Sequence, residues 1–344
     1  MFKFLLIFPT PALEKKFNPR NTSCIPAVKI FFRLGFEQIS SKLEDRVRKK
    51  GDKVKGTFTT LQILTIRLVL YLFQILPEGL TLALGRWFGL FWFHVVPYRR
   101  RLVMENLRKA FSRKKTDAEI RALARENFIH YGLYLAEFLR LPGMSQTDLL
   151  KKIKIQETRH IHAALAKGKG AIVICGHYGN FDMMAIAQSL AGFECHIITK
   201  TIKNKSVDLF WQKIREEKGV KFLPKKESAF SILKLLKKNK IVVMIIDQHM
   251  KKNKGVKVRF FDRPAWTMKA VAMIALKTGS PVVPVFSWRE GGLHYLTTGP
   301  EIPLVKGGSS DETLLLSTQK FNDVIEGFIR KHPEQWIWIH RRWK

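Results

Sequence analysis

The run Ala171-Ile-Val-Ile-Cys-Gly-His-Tyr-Gly-Asn-Phe-Asp182 decides the fold. Its first five residues are all apolar, whereas a strand with one solvated face would alternate, so they read as a strand buried on both faces. Gly179-Asn180 supplies turn residues, and a helical pattern occupies about 182–191. A doubly buried strand leading through a short loop into a helix is one step of an α/β layer.

The same step recurs downstream. His196-Ile-Ile-Thr199, Ile241-Val-Val-Met-Ile-Ile246 and Pro281-Val-Val-Pro-Val-Phe286 read as further buried strands, with helical patterns at 206–218, 227–239 and 267–278 between them. The expected class is α/β, with a central, mostly parallel sheet flanked by helices. Upstream, Thr116-Asp-Ala-Glu119 is a capping box that opens a helix ending near Leu141, at Pro142-Gly143. A last helix covers about 312–331. Beyond it, Trp336 and Trp338 alternate with Ile337 and Ile339, a pattern that suits a closing edge strand.

The N-terminal third differs. Residues 1–56 form a basic leader with little periodicity, and Phe4–Phe8 is too short for a signal-peptide core. From Phe58 to Val96 the chain is apolar and aromatic, broken at Pro77-Glu-Gly79 and Gly85-Arg86. Phe58 to Pro77 has the length of a membrane span but carries Arg67, which costs roughly 2.5–3.5 kcal/mol at a bilayer centre. A tilted span, a pair of half-inserted helices with Trp87, Trp92 and Tyr98 at headgroup level, and a buried hairpin all meet this pattern. The expected organisation is a leader (1–56), an apolar helical membrane-associating segment (57–112) and an α/β catalytic domain (113–344).

The 344 residues carry 61 Lys+Arg against 28 Asp+Glu, a formal net charge of +33. Such a surface favours anionic partners: lipid headgroups, phosphorylated glycolipids, acidic proteins or nucleic acid. The aromatic residues sit in apolar stretches and form no basic stacking surface, which argues against nucleic acid. Three widely spaced cysteines, Cys24, Cys175 and Cys195, give neither a disulfide framework nor a zinc cluster, and the ten histidines show no metal-ligand spacing. No metal or cofactor is expected.

The chemistry points to His177. In open α/β sheets ligands bind beyond the carboxyl ends of the strands, where His177 lies. Asp182 is five positions on; on one continuous helix the two would face about 140° apart, so they meet only if Gly179-Asn180 turns the chain. A carboxylate on one imidazole nitrogen fixes the tautomer and leaves the other nitrogen as a base. The same spacing also fits a loop histidine followed by a helix-capping aspartate. Cys175 is two residues away, but its place at the end of an apolar strand marks a small core residue rather than a nucleophile.

Strand, Gly176-His-Tyr-Gly-Asn-Phe-Asp182 and helix resemble the His-x4-Asp/Glu box of the glycerolipid and lipid A acyltransferase superfamily. The wider resemblance is to the lipid A biosynthesis acyltransferase branch. It is carried by Pro97–Phe111, Asp247-Gln248, Phe260-Phe-Asp-Arg-Pro264 and Pro333-Glu-Gln-Trp-Ile-Trp-Ile-His-Arg-Arg-Trp343, and it covers about residues 58–344. That branch usually has Glu where this chain has Asp182, and an arginine near Lys200. The Glu-Gly-Thr-Arg type block of the glycerophosphate enzymes is absent.

The resemblance implies transfer of a fatty acyl group from acyl carrier protein to a lipid A precursor hydroxyl, on the cytoplasmic face of a bacterial inner membrane. His177 would act as general base oriented by Asp182. Lys200, Asn204, Arg215, Asp247 and Gln248 would contact substrate, and backbone groups of Gly176, Gly179 and Asn180 would shape the turn and oxyanion site. Asp247 would bind a substrate hydroxyl or pin Arg215. Two other readings stand beside this one: an acyltransferase for another glycolipid or a glycerolipid, and a non-catalytic basic membrane-binding protein.

Overall fold

The computed structural model describes residues 68–199, 205–224, 228–305 and 307–344. The leader, residues 58–67 of the apolar segment, Lys200 and Asn204 lie outside the described residues.

Seven strands form the main sheet in the order β1-β9-β8-β2-β5-β3-β4. They are β1 (Ile153–Glu157), β2 (Ala171–Cys175), β3 (Cys195–Thr199), β4 (Lys221–Pro224), β5 (Ile241–Ile245), β8 (Val282–Glu290) and β9 (Leu293–Thr298). All neighbours are parallel except the β8–β9 pair. A separate hairpin joins β6 (Gly255–Phe260) to β7 (Arg263–Met268). The four expected strands are present within a residue at their starts. β2 is buried at every position, and β5 at all but its last, as a strand covered by helices on both faces must be.

Helices Phe181–Leu190, Lys205–Glu216, Ser228–Lys237 and Ala270–Thr278 follow β2, β3, β4 and β7. The capping box closes as read: the Glu119 N–H donates to Thr116 Oγ1 (3.3 Å) and the Thr116 N–H to Glu119 Oε2 (2.7 Å). The helix it opens runs Asp117–Arg140.

The chain divides into two compact units. One holds the described parts of Met1–Pro77, Leu139–Gly143 and Thr201–Ile214, where the Arg140 guanidinium donates to the carbonyls of Phe73 (3.1 Å) and Leu76 (2.6 Å). The other, Glu78–Phe138 with Met144–Lys200 and Arg215–Lys344, contains the sheet. In it the helices Glu78–His94 and Arg100–Phe111 share a core with the sheet: Trp92, Phe93, Leu107 and Phe111 cluster with Ile172, Ile174, Val242 and Phe260. Gly85 and Gly89 let the first of these helices approach Gly132 so closely that a Cβ on Gly132 would lie 2.0 Å from the Gly85 carbonyl oxygen. The opposite face of that helix is exposed yet apolar. Among the described residues no helix is long and apolar enough to cross a membrane.

The tail departs from its expected strand. Pro333–Gln335 form a 3-10 turn, and a single antiparallel bridge, Tyr178 with Trp336, replaces an edge strand. Trp336 and Trp338 are both fully buried, and the chain turns again at Trp338–His340 instead of staying extended.

Candidate active site

Neighbouring strands β2 and β5 build the site. They are parallel and in register, with Cys175 opposite Ile245. Two residues beyond each, His177 and Asp247 leave the sheet edge side by side. The imidazole Nδ1 lies 2.8 Å from Asp247 Oδ1, and the His177 backbone N–H donates to Asp247 Oδ2 at 2.6 Å. The Trp336 indole N–H also donates to Oδ2, at 2.7 Å. Burial alone would raise the Asp247 carboxyl, but the facing His177 and these donors hold it below the usual carboxylate range. An ionised carboxylate at Nδ1 makes that nitrogen the N–H donor and leaves Nε2 as the base. The His177 side chain is 20% exposed while Asp247 is sealed, so the imidazole is open to solvent and its partner is not.

Asp182 does not orient His177. It starts the helix Phe181–Leu190 with its carboxylate turned to Arg215, whose Nε donates to Oδ1, and to the Tyr134 hydroxyl, 2.5 Å from Oδ2. The turn that the sequence demands is there, but it carries the Asp182 side chain to the Arg215 side of the helix. Burial, and then the Asp182 charge, push the Tyr134 hydroxyl well above its ordinary value. Arg215 is flanked by the Phe222 and Phe181 rings, at 5.7 and 6.0 Å from their centroids. The carboxylate at the imidazole is therefore Asp247, while Asp182 holds Arg215, one of the two partners the sequence left open for Asp247.

The turn is fixed from beneath. Gly179 has φ 59°, and a Cβ there would sit 2.5 Å from the Ser287 carbonyl oxygen. Asn180 caps the helix, its Oδ1 accepting from the N–H groups of Asp182 and Met183 (both 3.1 Å), while its amide donates to Glu137 Oε2 (2.7 Å). Glu137 is buried against Arg289 (Nε to Oε1, 2.8 Å) and His294 (3.1 Å). Burial opposes its ionisation, but those charges outweigh burial and hold it far below the ordinary value. His130 closes the network on the Gly179 carbonyl at 3.1 Å. The sequence signals none of these four partners.

Of the backbone positions expected at the turn and oxyanion site, Gly179 has its N–H engaged, as have its neighbours His177 and Tyr178. The N–H groups of His177, Tyr178 and Gly179 bond to Asp247, the Gly176 carbonyl and the Gln335 carbonyl. Gly176 packs on Asp247; a Cβ there would be 3.1 Å from Oδ2. Gln248 stands beside the imidazole, its amide nitrogen 3.4 Å from His177 Nε2. Cys175 is a core residue, as read: burial raises its thiol, which removes it as a nucleophile. Among the described residues no cluster of His, Cys, Asp and Glu could hold a metal.

A strand-end imidazole held by a buried carboxylate, with the Gln248 amide at its second nitrogen, is an arrangement suited to general-base chemistry. The family model described as bacterial lipid A biosynthesis acyltransferase matches residues 52–344. The chain belongs to that family and is an acyltransferase. It is 28% identical over 221 residues to the phosphatidylinositol mannoside acyltransferase of Mycobacterium tuberculosis (strain CDC 1551 / Oshkosh), covering 62% of this chain and 67% of that one. It is 24% identical over 266 residues to the lipid A biosynthesis acyltransferase of Haemophilus influenzae, covering 77% and 80%. With the lipid A biosynthesis lauroyltransferase of Escherichia coli K12 the figures are 25% over 285 residues, 80% and 89%.

Proposed function

We propose that the enzyme moves a fatty acyl group from an acyl carrier protein thioester to a hydroxyl of a phosphorylated glycolipid, a lipid A precursor, at the cytoplasmic face of a bacterial inner membrane. The observation that carries the mechanism is the His177–Asp247 pair at adjacent strand ends. His177 Nε2 takes the acceptor hydroxyl proton as its oxygen attacks the thioester carbonyl. The tetrahedral intermediate expels the thiolate as the C–S bond breaks, and the imidazolium returns the proton to that sulfur. Asp247 holds the tautomer and balances the imidazolium. With three loop amides already bonded, the Gln248 side-chain amide is the donor we assign to the developing oxyanion. Arg215 is held by Asp182 and serves the architecture of the box. Lys200 and Asn204, outside the described residues, we assign to substrate binding.

A membrane site is supported by the helix Glu78–His94. Leu80, Leu84, Trp87 and Phe91 are all exposed, at steps of four, three and four residues, and so form one stripe, and Val95 and Tyr98 just past the helix end are exposed as well. Arg99-Arg-Arg101 follows directly, with the Arg101 side chain 93% exposed. Apolar residues at acyl depth with arginines beyond them suit a helix lying in the interface of an anionic leaflet.

The named relatives support a second acceptor class, a phosphatidylinositol mannoside, by the same chemistry. Purified enzyme is incubated with a lauroyl thioester of acyl carrier protein and either acceptor, and acylated product is measured by mass spectrometry. Lipid A from cells with and without the gene is compared, with complementation by wild type and by His177→Ala. Unchanged lipid A on deletion, with acylated mannoside in vitro, assigns the second acceptor. Activity in the alanine variant refutes the base.

A further inference from the structure

The tail Pro333–Trp343 reaches into the site from the far end of the chain. Its backbone is sewn to the loop that carries His177: the Gly179 N–H donates to the Gln335 carbonyl and the Ile337 N–H to the His177 carbonyl, each at 3.1 Å. From the other side the Asn127 amide holds the carbonyls of Glu334 (2.7 Å) and Trp336 (2.8 Å), and the Asn106 amide those of Trp338 (2.7 Å) and His340 (2.8 Å). The Trp336 ring is wedged edge-on against Trp338, at 4.6 Å and 88°, and against Phe260, at 5.5 Å. The indole is fully buried, so its N–H has one direction available, and that direction is Asp247 Oδ2.

A carboxylate on a single side-chain bond can rotate, and its two oxygens are equivalent until something distinguishes them. Here Oδ2 receives both the His177 and the Trp336 N–H, which leaves Oδ1 for the imidazole. We propose that Trp336 is a positioning residue for acyl transfer: its indole N–H locks the Asp247 carboxylate with Oδ1 toward His177 Nδ1. This rests on the reading of His177 as the base. The indole never touches substrate; it acts through Asp247. Hydrogen bonds to charged groups are the strong ones, and this one is shielded from water on all sides.

The test separates the N–H from the ring. Trp336→Phe removes both the donor and half of the ring system. Site-specific replacement of the indole by benzothiophene keeps the bicyclic shape and removes only the N–H. With the lauroyl thioester of acyl carrier protein and the glycolipid acceptor used above, both proteins should show kcat lowered about 10- to 100-fold with KM within about twofold. The acid limb of their kcat/KM profile should move to higher pH, because an Asp247 short of one donor takes up its proton earlier. The benzothiophene protein should melt within a few degrees of wild type. A wild-type kcat in that protein, or a lower kcat with an unmoved acid limb, overturns the proposal. His177→Ala is run in parallel. If it is inactive while the benzothiophene protein is normal, only the positioning role fails; if it is active, the base reading fails and takes this one with it.

Discussion

Asp247→Asn changes the site by one group. The Asn side chain can sit in the carboxylate's place in two orientations. With its NH2 at the Oδ2 position it would face two donors, the His177 backbone N–H at 2.6 Å and the Trp336 indole N–H at 2.7 Å. With its oxygen there, both bonds survive, and the NH2 faces His177 Nδ1 across the 2.8 Å contact. The second arrangement wins by two hydrogen bonds. It turns Nδ1 into an acceptor and moves the imidazole proton to Nε2, the atom that has to receive the acceptor's proton. The base is then in the wrong tautomer, the condition that costs about 10⁴ in kcat in a Ser-His-Asp triad. General-base assistance as a whole contributes ~10²–10⁴. We expect kcat to fall about 10³- to 10⁴-fold, equivalent to about 4–5.5 kcal/mol of barrier. The melting temperature should move little, since every contact remains a hydrogen bond. The assay follows free thiol released from the lauroyl thioester of acyl carrier protein in the presence of acceptor, with thermal melts on the same samples. An Asp247→Asn enzyme within tenfold of wild type would refute the assignment of the dyad. So would an Asp182→Asn protein that melts normally yet loses activity and its acid limb.

Three further outcomes follow from the same contacts. Asp182→Ala removes the 1% exposed carboxylate that pairs with the Arg215 side chain, itself 13% exposed; urea unfolding should show a loss of about 3–5 kcal/mol, with the pH profile of the residual activity unchanged. Burial, and then the Arg289 charge, push His130 down to about 3, whereas an unfolded histidine titrates near 6.5. The unfolded chain therefore binds the extra proton across that window, so stability present above about pH 6.5 is lost as the pH falls, and His130→Gln should flatten the slope of stability against pH by about one proton. Replacing Trp87 and Phe91 together by Ser should abolish co-sedimentation with vesicles of phosphatidylglycerol and phosphatidylethanolamine and leave thiol release from a soluble thioester intact; unchanged co-sedimentation would remove this helix from the interface.

What the sequence made legible were elements and strand ends. β2 and β5 are read correctly because runs such as Ile241–Ile246 are uniformly apolar, and strand ends are where α/β sheets place ligands. What it hid was adjacency. β2 is followed in the chain by β3, yet its neighbours in the sheet are β5 and β8, so the residue beside His177 is 70 positions away. Without that order, the nearest carboxylate in the chain takes the role, and Asp182 was that carboxylate. The β6–β7 hairpin escaped for a different reason. Its turn is Phe261-Asp262, both at positive φ (52° and 58°), where turn chemistry leads one to look for Asn-Gly. Packing explains the exception: Phe261 is buried against Phe111 and Trp338, with the Arg330 guanidinium 4.6 Å from its ring centre.

The pairing of Asp182 with Arg215 also changes what the aspartate at position 182 means. If Asp182 oriented the base, a carboxylate one methylene shorter than the glutamate usual in the resembling branch would have to be made up by a shift of His177. Bound to Arg215, no such shift is needed, because the Arg215 stem can extend to meet a shorter partner while Phe181 and Phe222 hold its guanidinium. Position 247 has no such slack. Its carboxylate is fixed by two backbone-anchored strands and by the tail through Trp336, and a glutamate there would drive its oxygens into His177 or the indole. The tolerance of the site for chain length thus differs at its two carboxylates, and the rigid one is the carboxylate that holds the base.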